Sequence, residues 1–269
     1  MVTHSRPDPD RLSVLAAVIL LGYILGRFVT LPVREVTLQL PGLFLSIQLG
    51  VNLLITILTA SLTAVGMAWL VQSHPALAGR SSLPFCLLPA LSAWVFGIPL
   101  SLLPFGYLWV GSFIAAGLLL ILVMVAEYIA VDPDDVRYPP AAAGLTAVSF
   151  ALFLILAIVL RSAQVRLLWI LPALALSAGL VSLRTLYLRS PVAWQVLPSL
   201  AVSMIIAHLT AALQYWPISP IAFGMAVFGP AYALTTFISR LNEADSWRAA
   251  LLEPGIVLLF SWGLMLWIR

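Results

Sequence analysis

Between Glu35 and Glu127 this chain carries a single charged side chain, Arg80. A stretch so nearly free of charge cannot dress a water-facing surface. It divides instead into apolar runs of about 20 residues, the length at which a helix crosses a ~30 Å hydrocarbon layer. The rest of the sequence agrees. Apolar residues make up 62% and charged residues 9%, against roughly 45–50% and 25% in soluble domains. Mean hydropathy is +1.10. The expected fold class is an all-α polytopic transmembrane helical bundle.

Charges, prolines and polar clusters cut the sequence into nine expected spans, at about 12–30, 44–71, 83–104, 107–130, 141–160, 166–188, 193–214, 219–239 and 249–268. Residues 31–43 are too polar and too short to cross, and are expected to lie along the interface. The first span follows Arg6 and Arg11 like the core of a signal peptide, but no small-residue cleavage site ends it, so a retained helix is expected. Tyr107, Trp109, Tyr215 and Trp216 mark two tight connections, expected as hairpin tips at headgroup level. No segment is long and polar enough to form a soluble domain.

A second signal is internal repetition. Arg80-Ser81 followed by Leu88-Pro89-Ala90-Leu91 recurs as Arg189-Ser190 followed by Leu197-Pro198-Ser199-Leu200, at an offset of 109 residues. Arg27 and Val33-Arg34, at the end of the first span, match Arg161 and Val165-Arg166 at the end of the fifth. These matches predict a parallel four-plus-four repeat, with halves 12–130 and 141–239 and an extra helix at 249–268, all in one membrane domain. The plainer alternative is that arginines mark helix ends in any membrane protein. Eight arginines near span ends fall on the amino-terminal face and five on the other, which predicts a cytoplasmic amino terminus.

Composition removes several chemistries. Without lysine there is no Schiff base. Cys86 alone makes no intramolecular disulfide and no multi-cysteine metal site. His4, His74 and His208 are too scattered for a haem pair or a dinuclear centre. No G-x-S-x-G, H-E-x-x-H or phosphate-binding loop occurs. Asp132, Asp134 and Asp135 read as a solvated acidic loop rather than a cation site. No catalytic residue, metal or cofactor is expected, no aromatic-interleaved basic stretch suits nucleic acid, and an enzyme ranks lowest.

Four arginines give the sharpest constellation. Arg27, Arg34, Arg161 and Arg166 are expected on one face, with only Glu35 to neutralise them. Guanidinium groups bind phosphate bidentately, so the four are candidates to hold an anionic lipid headgroup; ordinary snorkelling is the alternative. His208, Asn52 and Gln214 are the candidate intramembrane polar site, with interhelical hydrogen bonding as the plainer role. Arg27, Arg184 and Glu127 are expected to snorkel, and Glu253 to complement the positive end of the last helix. Gly22-x-x-x-Gly26 predicts close approach of another helix to the first span.

Three roles fit this pattern. The first is membrane-embedded handling or transport of a lipid or apolar molecule, for which an uncharged interior is suited. The second is a non-catalytic subunit or assembly factor of an envelope complex. The third is an ion-coupled transporter of a polar solute. Membrane lipids are the expected partners, with other membrane subunits in the second case, and the expected location is a prokaryotic cell membrane.

Overall fold

The computed structural model describes residues 7–29, 34–40, 43–49, 51–77, 79–190, 194–241 and 247–268; for 34–40, 43–49 and 51–53 it describes the backbone course alone. Among the described residues nine helices are long and apolar enough to cross a membrane. The chain is thus a polytopic helical membrane bundle. It divides into two compact units, residues 1–135 and 136–269.

The first unit holds α1 (Pro9–Phe28), a β-hairpin of β1 (Arg34–Leu40) and β2 (Leu43–Leu49), α2 (Val51–Val71), α3 (Leu83–Leu102) and α4 (Tyr107–Ile129). Helix starts follow local chemistry. Asp8 caps α1 by accepting from the Asp10 backbone N–H at 3.0 Å, and Pro9 stands in the first turn, where its missing donor costs nothing. Small residues then set the packing. A Cβ at Gly22 would lie 2.6 Å from Thr59 Oγ1, one at Gly26 would lie 3.2 Å from Ile55 Cγ2, and one at Gly97 would lie 2.6 Å from Thr56 Cγ2. The expected close approach at Gly22 and Gly26 is therefore the α1–α2 contact.

The hairpin differs from the sequence expectation. Within the expected interfacial stretch 31–43, residues 34–40 form a strand, and residues 44–49 do not begin the second span. Instead β1 and β2 pair antiparallel, from Arg34 opposite Leu49 to Leu40 opposite Leu43, and the helix starts only at Val51. The reason lies in the alternation Val36, Leu38, Leu40 and Leu43, Leu45, Ile47, Leu49, a period of two that specifies strand. Dividing the chain by polarity alone averages such alternation away.

The second unit holds α5 (Tyr138–Ser162), α6 (Leu167–Arg189), α7 (Val196–Leu213), α8 (Pro220–Leu241) and α9 (Trp247–Ile268). Its most extensive helix pair is α8 with α9. A Cβ at Gly229 would lie 1.9 Å from Ser261 Oγ and 3.0 Å from its Cβ, so any larger residue must displace the Ser261 side chain. One residue on, Pro230 removes the N–H that would bond the Ala226 carbonyl. Trp262 of α9 replaces that donor, its Nε1–H reaching the Ala226 oxygen at 3.3 Å.

Both units are built for an apolar solvent. Outer positions are aliphatic or aromatic and bare, such as Leu259 at 76% and Trp267 at 86% exposure, which water would not tolerate over so large an area. Inner positions include fully covered Ser and Thr. Thr63, Ser92, Ser149 and Thr235 each return their hydroxyl hydrogen to a carbonyl one turn back, at 2.7–2.8 Å. Such side chains let helices approach without stranding a polar atom.

Two expectations about charge are corrected. Glu127 and Arg184 do not snorkel: their exposures are 0% and 1%, because the last turns of α4 and α6 are covered by protein rather than headgroups. The Arg184 guanidinium lies 5.6 Å from the Tyr187 ring centroid. Glu253 does more than face a helix dipole, since it is ion-paired with Arg240 and accepts from the Tyr232 hydroxyl at 3.2 Å. Trp109 is also not at the headgroup surface. It is 5% exposed, and its Nε1–H bonds the Leu100 carbonyl, which Pro104 leaves without a donor. Tyr107 and Tyr215 do project, at 99% and 82% exposure.

Candidate functional site

The end of α5 is shaped by its cap. Val165 N–H bonds the Leu160 carbonyl, Gln164 N–H bonds the Arg161 carbonyl, and Gln164 takes φ +50°. This is a Schellman closure with glutamine at the left-handed position that glycine usually occupies, at a cost of about 1 kcal/mol. The closure turns the chain sharply into α6 and leaves Arg161, in the last turn of α5, pointing across the unit.

There Arg161 meets the end of α7. One guanidinium nitrogen donates to the Gln214 carbonyl at 2.5 Å and the other to the Trp216 carbonyl at 2.9 Å. The Gln214 carbonyl caps α7 at the negative end of its dipole, and the Trp216 carbonyl, just beyond, also accepts from the Ile218 N–H at 2.8 Å. The Gln214 side chain answers, its Nε2 donating to the Val165 carbonyl at 3.2 Å. The amide orientation follows, since a flip would set oxygen against oxygen. Gln214 Oε1 is left buried without a partner. The Phe223 ring lies 5.3 Å from the guanidinium carbon. On the far side Ser219 opens α8, its Oγ accepting from Ala222 N–H at 3.2 Å ahead of Pro220.

These ends enclose an open cavity of about 330 Å³, lined by Arg161, Ser162, Gln164, Gln214, Ile218 and Pro220. No carboxylate lines it, so the positive charge of Arg161 is balanced only by carbonyl dipoles. Part of the guanidinium fork remains available to an incoming acceptor.

The structure therefore joins two residues that the sequence kept in separate candidate groups, Arg161 from the headgroup set and Gln214 from the intramembrane set. Arg166 is exposed at the start of α6 and does not line the cavity. Arg27 is half-buried in the first unit, beside a space of about 20 Å³ among Gly22, Gly26, Thr56, Thr59 and Ser101, room for one water. The side chains of Arg34 and Asn52 lie outside the described residues. His208 sits on the exposed side of α7, its Nδ1 2.7 Å from the Met204 carbonyl of its own helix, and is not brought to the cavity. Gln164 and Ser162 were missed. A polar pair just after an apolar run was the available signal, but polar residues at helix ends are too common to single them out.

Among the described residues no three histidine, cysteine or acidic side chains gather as a metal site. In the acidic loop the Asp132 carboxylate instead accepts from the Asp134 backbone N–H at 3.1 Å, an ordinary turn bond.

Fold and cavity together define a multi-pass helical membrane protein with a basic recess at one end of its second unit. The chain belongs to DUF5656, a family of proteins of unknown function, whose model matches residues 31–268. No curated protein and no solved structure is detectably similar to it.

Proposed function

We propose that this protein binds a membrane lipid through its anionic headgroup, with Arg161 as the principal contact, and that its role is the handling or transport of such a lipid or a similar apolar molecule. The observation that carries this reading is the open cavity at the helix ends, with a guanidinium and no acid in its lining. Its place suits a phosphate at the interface with acyl chains lying along the bare apolar surface of the unit. A transporter of a polar solute needs a site near the bilayer centre, and His208, its candidate there, faces outward. Arg166, exposed on the same turn, adds a second cation for the headgroup.

The same reading includes the duplication. It is supported by contacts that both units share, first helix on second and fourth, second on third and fourth, and third on fourth, although α1 also packs on α3 where α5 and α7 make no extensive contact. Arg27 and Arg161 are each one residue from the end of the first helix of their unit. If every helix crosses once, four crossings return Arg161 to the face of Arg27. A prokaryotic cell membrane with the amino terminus inside remains the proposed setting.

The test is native mass spectrometry of the full chain purified in mild detergent. Replacing Arg161 and Arg166 by glutamine should lower bound anionic phospholipid several-fold. Unchanged occupancy with a lowered melting temperature would reduce Arg161 to a clasp on the end of α7 and overturn the proposal.

A further inference from the structure

The β-hairpin carries a separate inference, because its register sorts its residues with little ambiguity. Directly opposed residues in an antiparallel pair share a face, and the face alternates along each strand. Val36, Leu38 and Leu40 therefore fall on one face with Ile47, Leu45 and Leu43. Glu35 opposite Gln48, Thr37 opposite Ser46 and Gln39 opposite Phe44 fall on the other. One face is aliphatic from Val36 and Ile47 to the turn, with Arg34 opposite Leu49 at its open end, and the other is polar but for Phe44.

A lone two-stranded hairpin is marginal in water, and a bare aliphatic face on it would be an aggregation site. Among the described residues no helix packs extensively against this hairpin, so the face needs another partner. Its tethers say which one is in reach. Leu49 is separated from the first residue of α2 by Gly50 alone, and Arg34 follows the end of α1 by residues 29–33. At no more than ~3.6 Å per residue, Leu49 lies within about 7 Å of the start of α2, and Arg34, paired with it, is held at the same end, where α2 enters the hydrocarbon. Full insertion is excluded by chemistry, since both strands are edges and their outward backbone groups would go unpaired in hydrocarbon. Lying flat resolves both demands: the aliphatic face rests on the acyl boundary, while water and headgroups serve the edges and the polar face.

We propose that residues 34–49 form an interfacial β-hairpin whose aliphatic face rests on the lipid surface at the shared end of α1 and α2. The partner is the bilayer itself, and the proposal stands or falls independently of the Arg161 cavity.

Leu38→Cys and Leu45→Cys on the aliphatic face, and Thr37→Cys and Ser46→Cys on the polar face, are introduced one at a time into the full chain carrying Cys86→Ala. They are spin-labelled and reconstituted in phosphatidylcholine–phosphatidylglycerol vesicles. Collision with dissolved oxygen, which concentrates in lipid, is compared with collision with a water-soluble nickel chelate. The expected result is several-fold oxygen preference at 38 and 45, reversed at 37 and 46, with two positions per face so that one disturbed site does not decide. Equal accessibility on both faces would overturn the proposal. So would labels at 38 and 45 shielded from both reagents in vesicles and in dilute detergent alike, which would put protein, from this chain or a second copy, on that face.

Discussion

The ends of α1 and α3 in the first unit leave a narrow space, whereas the ends of α5 and α7 in the second leave a wide one. In the first unit Gly22, Gly26 and Gly97 draw three helices together around Thr56 and Thr59, leaving space for one water beside Arg27. In the second unit the ends of α5 and α7 carry Arg161 and Gln214, which bond across to main-chain carbonyls beside a recess of about 330 Å³. Close packing by glycine in that unit lies at Gly224 against Ile158 of α5 and at Gly229 against Ser261 of α9. Neighbouring helix ends thus leave either a narrow space or a recess, with small residues at the one and long polar side chains at the other.

That contrast can be broken in graded steps. The largest effect is expected at Gly229→Leu, where the new side chain must displace α9; a loss of about 3 kcal/mol should appear in thermal unfolding in detergent. Gly22→Leu should cost about 2 kcal/mol, since the Thr59 side chain has some room to turn. If both substitutions were silent, glycine would not be what seals these contacts. Trp262→Phe keeps most of the packing but strands the Ala226 carbonyl, for about 1 kcal/mol in the same measurement. Gln164→Gly runs the other way. It should raise stability by a few tenths of a kcal/mol to about 1 kcal/mol by relieving the positive φ, and a loss instead would mean that the Gln164 side chain holds the cavity wall.

Much of this architecture was legible in the order of residues. Eight of the nine helices fall within about three residues of the spans that charge and proline mark out, because the cost of putting a charge in hydrocarbon leaves little choice of boundary. The second span was not legible to that rule, since strand alternation in 43–49 is as apolar on average as a helix. Nor was burial of Glu127 and Arg184. Their sequence positions near helix ends are those of snorkelling residues, and only tertiary packing distinguishes the two cases. Arg161 was legible as a cation at a helix end. Its partnership with Gln214, 53 residues away, was not, because a bond to a main-chain carbonyl leaves no trace in side-chain type.

The most direct test sets the arginine at the end of α1 against the one at the end of α5. Arg27→Gln and Arg161→Gln variants, purified identically, are compared with the unsubstituted chain for bound anionic phospholipid by native mass spectrometry. A recess that binds headgroups predicts a several-fold drop for Arg161→Gln and near-unchanged occupancy for Arg27→Gln. Equal losses from both, or none from Arg161→Gln, would contradict it.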